Sequence, residues 1–199
     1  MQLDGLTLLV ACCGLLVLVG LVFIFLWFGD RKSSWLLWWG LPLISNGIAV
    51  TFFMRQGWES DFAAVAFGNA TRIFGLGCMW YGIRLFQGQR PPWGVISAMS
   101  IAWIGLCLYP PFIESMTARI AVVSLLHAVV CGLAVLDLWR GREDKLRSRI
   151  PTMVVFASYG LLMLARATMS GSAPFPVGSG PLDTNWLAAF IWLVVAHAL

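Results

Sequence analysis

A chain of 199 residues that is 60% hydrophobic and only 11% charged departs far from soluble usage, in which charged residues make up about a quarter. Its mean hydropathy of +0.85 marks an integral membrane protein. The net charge of +4 sits in the turns between apolar stretches, so it is a topological charge and not a nucleic-acid signature.

Candidate spans are judged against the about 20 apolar residues that a helix needs to cross the hydrocarbon core. The first covers residues 3–28. It lacks a basic n-region and carries Asp4, and it exceeds the about 7–15 apolar residues of a cleaved signal peptide, so it reads as a retained helix. The second covers 34–54 and leads into a short loop with Gly57, Trp58, Glu59 and Asp61. The third covers 62–86 and stops at Gln87-Gly88-Gln89-Arg90-Pro91-Pro92, a strong breaker. The fourth covers 93–109 and ends at Pro110-Pro111; the fifth covers 116–139. The basic loop from Arg140 to Arg149 follows, with Glu143 and Asp144 mixed in. The sixth span, 151–169, is predicted to start with Pro151 at its first helical position. A Gly/Pro/Ser-rich loop from Ser170 to Pro181 precedes the seventh, 186–199. Its 14 residues fall short of a full crossing, and the helix is expected to continue past Leu199.

The predicted fold is therefore an all-α, seven-transmembrane-helix bundle forming a single domain. Of the 13 Lys and Arg, nine fall in alternate gaps: Arg31 and Lys32; Arg84 and Arg90; and Arg140, Arg142, Lys145, Arg147 and Arg149. The other gaps hold only Arg55, Arg119 and Arg166, while Arg72 lies inside the third span. The positive-inside bias then predicts an outside N-terminus and a cytoplasmic C-terminus.

The cysteines, Cys12, Cys13, Cys78, Cys107 and Cys131, all lie within apolar stretches and none forms a C-x-x-C pair. They read as packing residues, not as a redox or zinc centre. Trp27, Trp35, Trp58, Trp93, Tyr109, Trp139 and Trp186 fall at predicted interfaces as an aromatic belt. Trp38, Trp39, Trp80 and Trp103 lie deeper and are expected to pack between helices. Small residues recur every four positions in the fourth span (Gly94, Ala98, Ala102) and the fifth (Ser124, Ala128, Gly132). Such faces let helices approach closely and predict bundle or homodimer seams.

Polar groups inside a membrane are costly and call for a partner or a purpose. At about 1.5 Å of rise per residue, Asn46, Asn69, Arg72, His127, Tyr159 and His197 fall at similar depth, roughly 10–17 Å from the outer surface. Asn69 and Arg72 share a helical face. These six residues are the candidate ligand or signal pocket, with Arg72 as anchor for an anionic or carbonyl-bearing molecule. The competing reading is that Arg72 is neutralised by Asn and backbone carbonyls and only fixes helix packing. For His127 and His197 the alternatives are a bis-histidine haem and neutral, hydrogen-bonded or pH-sensing histidines; no cofactor is otherwise expected. Asp137, three residues before Arg140, reads as a local ion pair. Glu114, Arg119 and Arg166 read as rim charges, and the 140–149 loop as a topology determinant that touches lipid headgroups.

A retinal-binding pump is excluded, because Lys32 and Lys145 both lie in loops and none is placed for a Schiff base. No H-E-x-x-H, G-x-S-x-G or P-loop pattern is present, so no catalytic constellation is expected within these residues.

The stretch FGNATRIFGLGCMWYGIRLFQGQRPP, residues 67–92, resembles a segment of the N-terminal membrane modules of bacterial GGDEF diguanylate cyclases. Asn69, Gly82, Arg84, Phe86, Gly88 and Pro91 carry the likeness, and GLLMLAR from Gly160 to Arg166, followed by a Pro-containing loop and Trp186, is similar too. The resemblance implies a sensory or dimerising transmembrane module, working as a homodimer on an unknown molecular or physical signal. It implies a cytoplasmic cyclase beyond Leu199 that makes cyclic di-GMP from two GTP. Another effector such as a histidine kinase, or a stand-alone transporter or haem protein, is the alternative.

Overall fold

The computed structural model describes residues 5–54, 62–90, 93–144 and 146–171. Among them the chain is entirely helical: α1 (Gly5–Gly29), α2 (Ser34–Met54), α3 (Phe62–Phe86), α4 (Trp93–Cys107), α5 (Pro110–Glu114), α6 (Met116–Arg140) and α7 (Arg149–Met169), with a 3-10 turn at Arg142–Asp144. Six of these are the first six predicted spans, and α5 is a one-turn addition. The predicted span 186–199, with Trp186 and His197, lies outside the described residues. Among the described residues three helices are long and apolar enough to cross a membrane: Phe62–Phe86, Met116–Arg140 and Arg149–Met169.

Local chemistry explains the boundaries. Gly88 takes a φ of +68°, a region costly for residues with a Cβ. The turn closes α3 with a pair of bonds, Gln89 N–H to Arg84 O at 2.9 Å and Gly88 N–H to Leu85 O at 3.0 Å, the Schellman arrangement. At the end of α4 the helix stops at Cys107, two residues before the predicted boundary. Pro110 disfavours helical geometry at the residue before it, and Tyr109 is accordingly extended, with φ −88° and ψ 111°. The Pro110-Pro111 pair does not only break α4; it occupies the first positions of α5, where missing N–H groups cost nothing. Ser115 caps α6, its hydroxyl accepting from Ala118 N–H at 3.2 Å. α7 begins at Arg149, not Pro151. Pro151 still lies in the first turn, whose N–H groups have no intrahelical acceptor.

Helix α3 is the hub. Of its 25 residues 14 are buried, and α2, α4 and α6 all pack on it, while α1 packs on α2 and α7 on α6. Glycines set the close approaches. A Cβ on Gly20 or Gly40 would meet the other's carbonyl oxygen, at 2.8 and 2.7 Å. On α3, Gly75 lies against Pro42 and Ser45 of α2, Gly82 against Trp39, and Gly77 against Ile96 of α4. Two apolar clusters follow. One joins Leu76, Met79, Trp80 and Ile83 of α3 to Ile96, Val130, Cys131, Phe156 and Tyr159. The other joins Val65, Ala66, Ala70 and Ile73 to Trp103, Cys107, Phe112 and Val123.

The predicted small-residue seams behave differently. Gly94, Ala98 and Ala102 of α4 are all exposed, and a Cβ on Gly94 or Gly132 would touch nothing. On α6 only Ser124 is fully buried, while Ala128 O lies 3.9 Å from where a Gly160 Cβ would stand. The seams inside the bundle use α3 instead, because α3 has three neighbours and needs small residues on several faces.

These contacts define register. α1–α2, α2–α3, α3–α4 and α6–α7 run antiparallel, and α3 and α6 run parallel, since Trp80 meets Asp137 at one end and Ile73 clusters with Val123 towards the other. The turns at 30–33, 87–90 and 141–148 consequently gather at a single end, called here the basic end. Large apolar side chains stay exposed along the bundle, among them Leu18, Phe25, Ile101, Leu136 and Leu161. Soluble proteins do not leave contiguous apolar surface on this scale uncovered, and helices satisfy their own backbone groups in lipid.

Candidate functional site

Two polar nodes hang on α3, about two turns apart. The first contains three of the six predicted pocket residues. Arg72 projects from the middle of α3 and hydrogen-bonds to the hydroxyl of Tyr159 on α7. Tyr159 is buried and packs edge-on against His127 of α6, the ring centroids 6.3 Å apart at 74°. His127 Nδ1 lies 2.7 Å from Val123 O; a carbonyl only accepts, so Nδ1 carries the proton and a neutral ring keeps Nε2 as an acceptor. Arg72, Tyr159 and His127 thus come together from three helices, as the depth estimate anticipates.

The other members fall differently. Asn69 donates from Nδ2 to Val65 O of its own helix at 3.0 Å, so it caps a carbonyl of α3 beside the node. Asn46 is half-buried on α2. Gly82 opposes Trp38 and Trp39, and Gly75 opposes Pro42 and Ser45, a register that brings Asn46 level with Arg72 on the α2 side. His197 lies outside the described residues, so the bis-histidine pairing has only His127 placed. Among the described residues no group of three or more His, Cys, Asp and Glu is arranged to hold a metal ion.

Arg166, read from sequence as a rim charge, lies within electrostatic range of both Arg72 and Tyr159. It stands seven residues after Tyr159, two helical turns on the same face of α7. The signal was present in the spacing, but it becomes visible only once α7 is known to face Arg72.

The second node, at the basic end, was only partly anticipated. Asp137 of α6 is 4% exposed and accepts a 2.7 Å hydrogen bond from Trp80 Nε1 of α3. Arg84 Nη1 stands 3.5 Å from the same carboxylate oxygen, and the expected local partner Arg140 is at 4.0 Å. Gln87 Nε2 donates to the Asp137 backbone oxygen at 3.0 Å. Arg149 Nη1 donates to Leu138 O at 3.2 Å and packs over Gly141, where a Cβ would lie 2.6 Å from that nitrogen. Buried charges persist when paired and hydrogen-bonded. Here the carboxylate holds the end of α3 to the end of α6, and Arg149 ties the start of α7 to the same end of α6.

Residues of the 67–92 stretch have visible structural tasks. Arg84 pairs with Asp137, Gly82 admits Trp39, Phe86 stacks edge-on against Trp35 at 5.6 Å, and Gly88 terminates the helix. Around them Trp38, Tyr81 and Trp93 form a ring cluster, with Trp38 and Tyr81 centroids 4.0 Å apart. The deeper tryptophans do pack between helices. Trp103 is fully buried and donates to Ala66 O at 3.1 Å. Trp139 is exposed with Arg142 over its ring at 4.3 Å, and Arg31 covers Trp27 at 4.0 Å, the cation–aromatic pairing suited to a headgroup layer. Comparison with family models, with curated proteins and with solved structures finds no match to this chain.

Proposed function

We propose that this chain is a membrane-embedded sensory module that relays a signal to a diguanylate cyclase domain of the same protein. The observation that carries the reading is that one helix, α3, bears both polar nodes: Arg72 reaches α7 through Tyr159, and Trp80 and Arg84 hold Asp137 of α6. A ligand or physical signal acting on the Arg72 node moves α7 relative to α3. The displacement is felt at the α6–α7 turn, which Gln87 and Arg149 tie to the end of α3. A signal shifts such an equilibrium only through unequal affinity for its two arrangements, and a node whose members come from three helices supplies that inequality.

The basic end faces the cytoplasm of a bacterial inner membrane in this reading, since the positive-inside bias acts on the short turns gathered there. The module works as a homodimer, with the exposed small-residue face of α4 as the contact. The cyclase assignment rests on the family likeness of residues 67–92. The coding sequence beyond Leu199 tests it: a GGDEF domain in the same frame is the expected result, and a histidine kinase domain or an immediate stop codon overturns it. In cells producing the whole protein, Arg72→Ala is then expected to abolish any signal-dependent change in cyclic di-GMP while the protein still accumulates in the membrane. An unchanged response removes the Arg72 node from the mechanism.

A further inference from the structure

We infer that the α1–α2 turn binds an anionic phospholipid whose headgroup carries no cation, its phosphate held by Arg31 and Lys32 and one acyl chain lying along α1. The site stands apart from the Arg72 node and is independent of which effector follows.

The turn presents positive charge that the protein leaves uncompensated. Arg31 and Lys32 are both exposed, and among the described residues no carboxylate forms an ion pair with either. The acid beside them, Asp30, is engaged within the turn, accepting from the Ser33 hydroxyl at 2.6 Å and from Lys32 N–H at 3.2 Å. What Arg31 touches is aromatic: its guanidinium carbon stands 4.0 Å from the centre of the Trp27 ring and 4.3 Å from that of Phe28. A stacked guanidinium keeps the N–H groups along its edge for an acceptor. On the ring that it covers, Trp27 Nε1 is shielded and has no hydrogen-bond partner among the described residues, a donor still owed an acceptor. Arg31 is exposed, so its side chain has room to lift and admit an oxygen between the two. A phosphate only accepts, and it accepts from several donors at once. Arg142 differs, although it too stacks on a tryptophan: it donates to Trp139 O at 3.2 Å, and that indole is exposed.

Helix α1 favours a lipid over a soluble phosphate. Leu18, Leu21, Phe25 and Phe28 follow one another at helical spacing along a single stripe, and each is at least half exposed. The stripe ends under the guanidinium, at Phe28. From Leu18 to Phe28 the helix rises about 15 Å, half of the about 30 Å hydrocarbon core, which is the reach of one acyl chain from headgroup to midplane. The headgroup is constrained as well. A choline or ethanolamine head would bring its own cation beside Arg31 and Lys32, and the ring faces that attract such a cation are taken by Arg31. A glycerol head meets neither obstacle.

The test uses the purified 199-residue chain in dodecyl maltoside, titrated in separate arms with dioleoyl phosphatidylglycerol, dioleoyl phosphatidylcholine and the chain-free headgroup glycerophosphoglycerol. Native mass spectrometry reads the ligand retained per chain. Phosphatidylglycerol is expected to bind about fivefold or more tightly than phosphatidylcholine, and Arg31→Gln to weaken it about fivefold, the share of one cation at a membrane surface. Trp27→Phe, which keeps a ring and deletes the N–H, is expected to weaken it several-fold; should that variant fail to fold, Lys32→Gln, on an exposed residue, is expected to do the same. Arg142→Gln is expected to leave binding unchanged. Equal affinity for the two lipids overturns the site, as do equal losses from Arg31→Gln and Arg142→Gln, which would reduce it to diffuse charge. Glycerophosphoglycerol binding as tightly as the lipid overturns the acyl track. A lipid-free dimer that Arg31→Gln dissociates gives the face to a second copy and overturns the lipid assignment.

Discussion

Replacing Asp137 by alanine removes the acceptor that holds α3 to α6, and the structure bounds what that costs. The 2.7 Å bond from Trp80 Nε1 is made to an ionised acceptor, and such bonds contribute about 1.5–3 kcal/mol. The Arg84 pair is loose at 3.5 Å with its side chain 26% exposed, and the Arg140 pair is looser still at 4.0 Å with 72% exposure. Together they add about 0–1 kcal/mol once screening is allowed for. Asp137→Ala is therefore expected to destabilise the bundle by about 2–4 kcal/mol. Asp137→Asn keeps a carbonyl oxygen for Trp80 and loses the charge, so its cost is expected to be about half of that. Reversible unfolding in mixed SDS–dodecyl maltoside micelles, followed by circular dichroism, measures both. A double-mutant cycle with Trp80→Phe isolates the cross-helix bond, for which a coupling of about 1 kcal/mol or more is expected. An Asp137→Ala protein within about 0.5 kcal/mol of the parent would show that this carboxylate does not hold the helices together.

Gly82→Ala places a methyl group 2.5 Å from Trp39 Cδ1, and the same unfolding assay is expected to register a loss of about 1–3 kcal/mol from overpacking. Gly132→Ala, where a Cβ meets nothing within 4 Å, is expected to be neutral or to gain up to about 1 kcal/mol of helix propensity; reversal of that order would contradict the seam assignment. At Gly88, alanine must adopt the φ of +68°, with an expected cost of about 1–2 kcal/mol. Cysteine at Ala98, on the exposed face of α4 and in a background with the native cysteines replaced, is expected to cross-link two copies in membranes under mild oxidation. A protein that stays monomeric while a control cysteine on α1 behaves identically would remove α4 as the homodimer seam. Phosphatase and fluorescent-protein fusions after Arg147 and after Ser115 test orientation, with fluorescence expected at the first and phosphatase activity at the second; the opposite pattern would invert the topology.

Much of the candidate site could be found from the chain alone because depth is a local quantity. Counting residues from a helix end placed Arg72, His127 and Tyr159 in one layer, and the structure brings those three together. Counting could not rank Asn46 and Asn69, which lie in the same layer; Asn69 turns back to its own helix at Val65 and Asn46 sits on the α2 side of α3. Depth says nothing about the rotation of a helix or the identity of its neighbour. Arg166 was passed over for the same reason, since its relation to Arg72 exists only across the α3–α7 gap.

Helix extents and the gathering of basic turns were set by information within a few residues of each boundary. Proline geometry and the alternation of Lys and Arg act locally, and a linear reading recovers them; the left-handed φ of Gly88 and the Ser115 cap are just as local but come from the structure. Partnership across the bundle is decided by helix order and azimuth, which depend on the packing of every face at once. Asp137 has a tempting neighbour three residues away in Arg140, yet its short bond goes to Trp80, 57 residues earlier, because α3 and α6 run parallel and bring their ends level. Arg84 and Arg149 count as turn charges in the sequence, and the fold turns both inward onto α6. The small-residue pattern of α4 is equally clear in the chain, but only the tertiary structure leaves that face uncovered and gives the close approaches to the glycines of α3, the helix with three neighbours to accommodate.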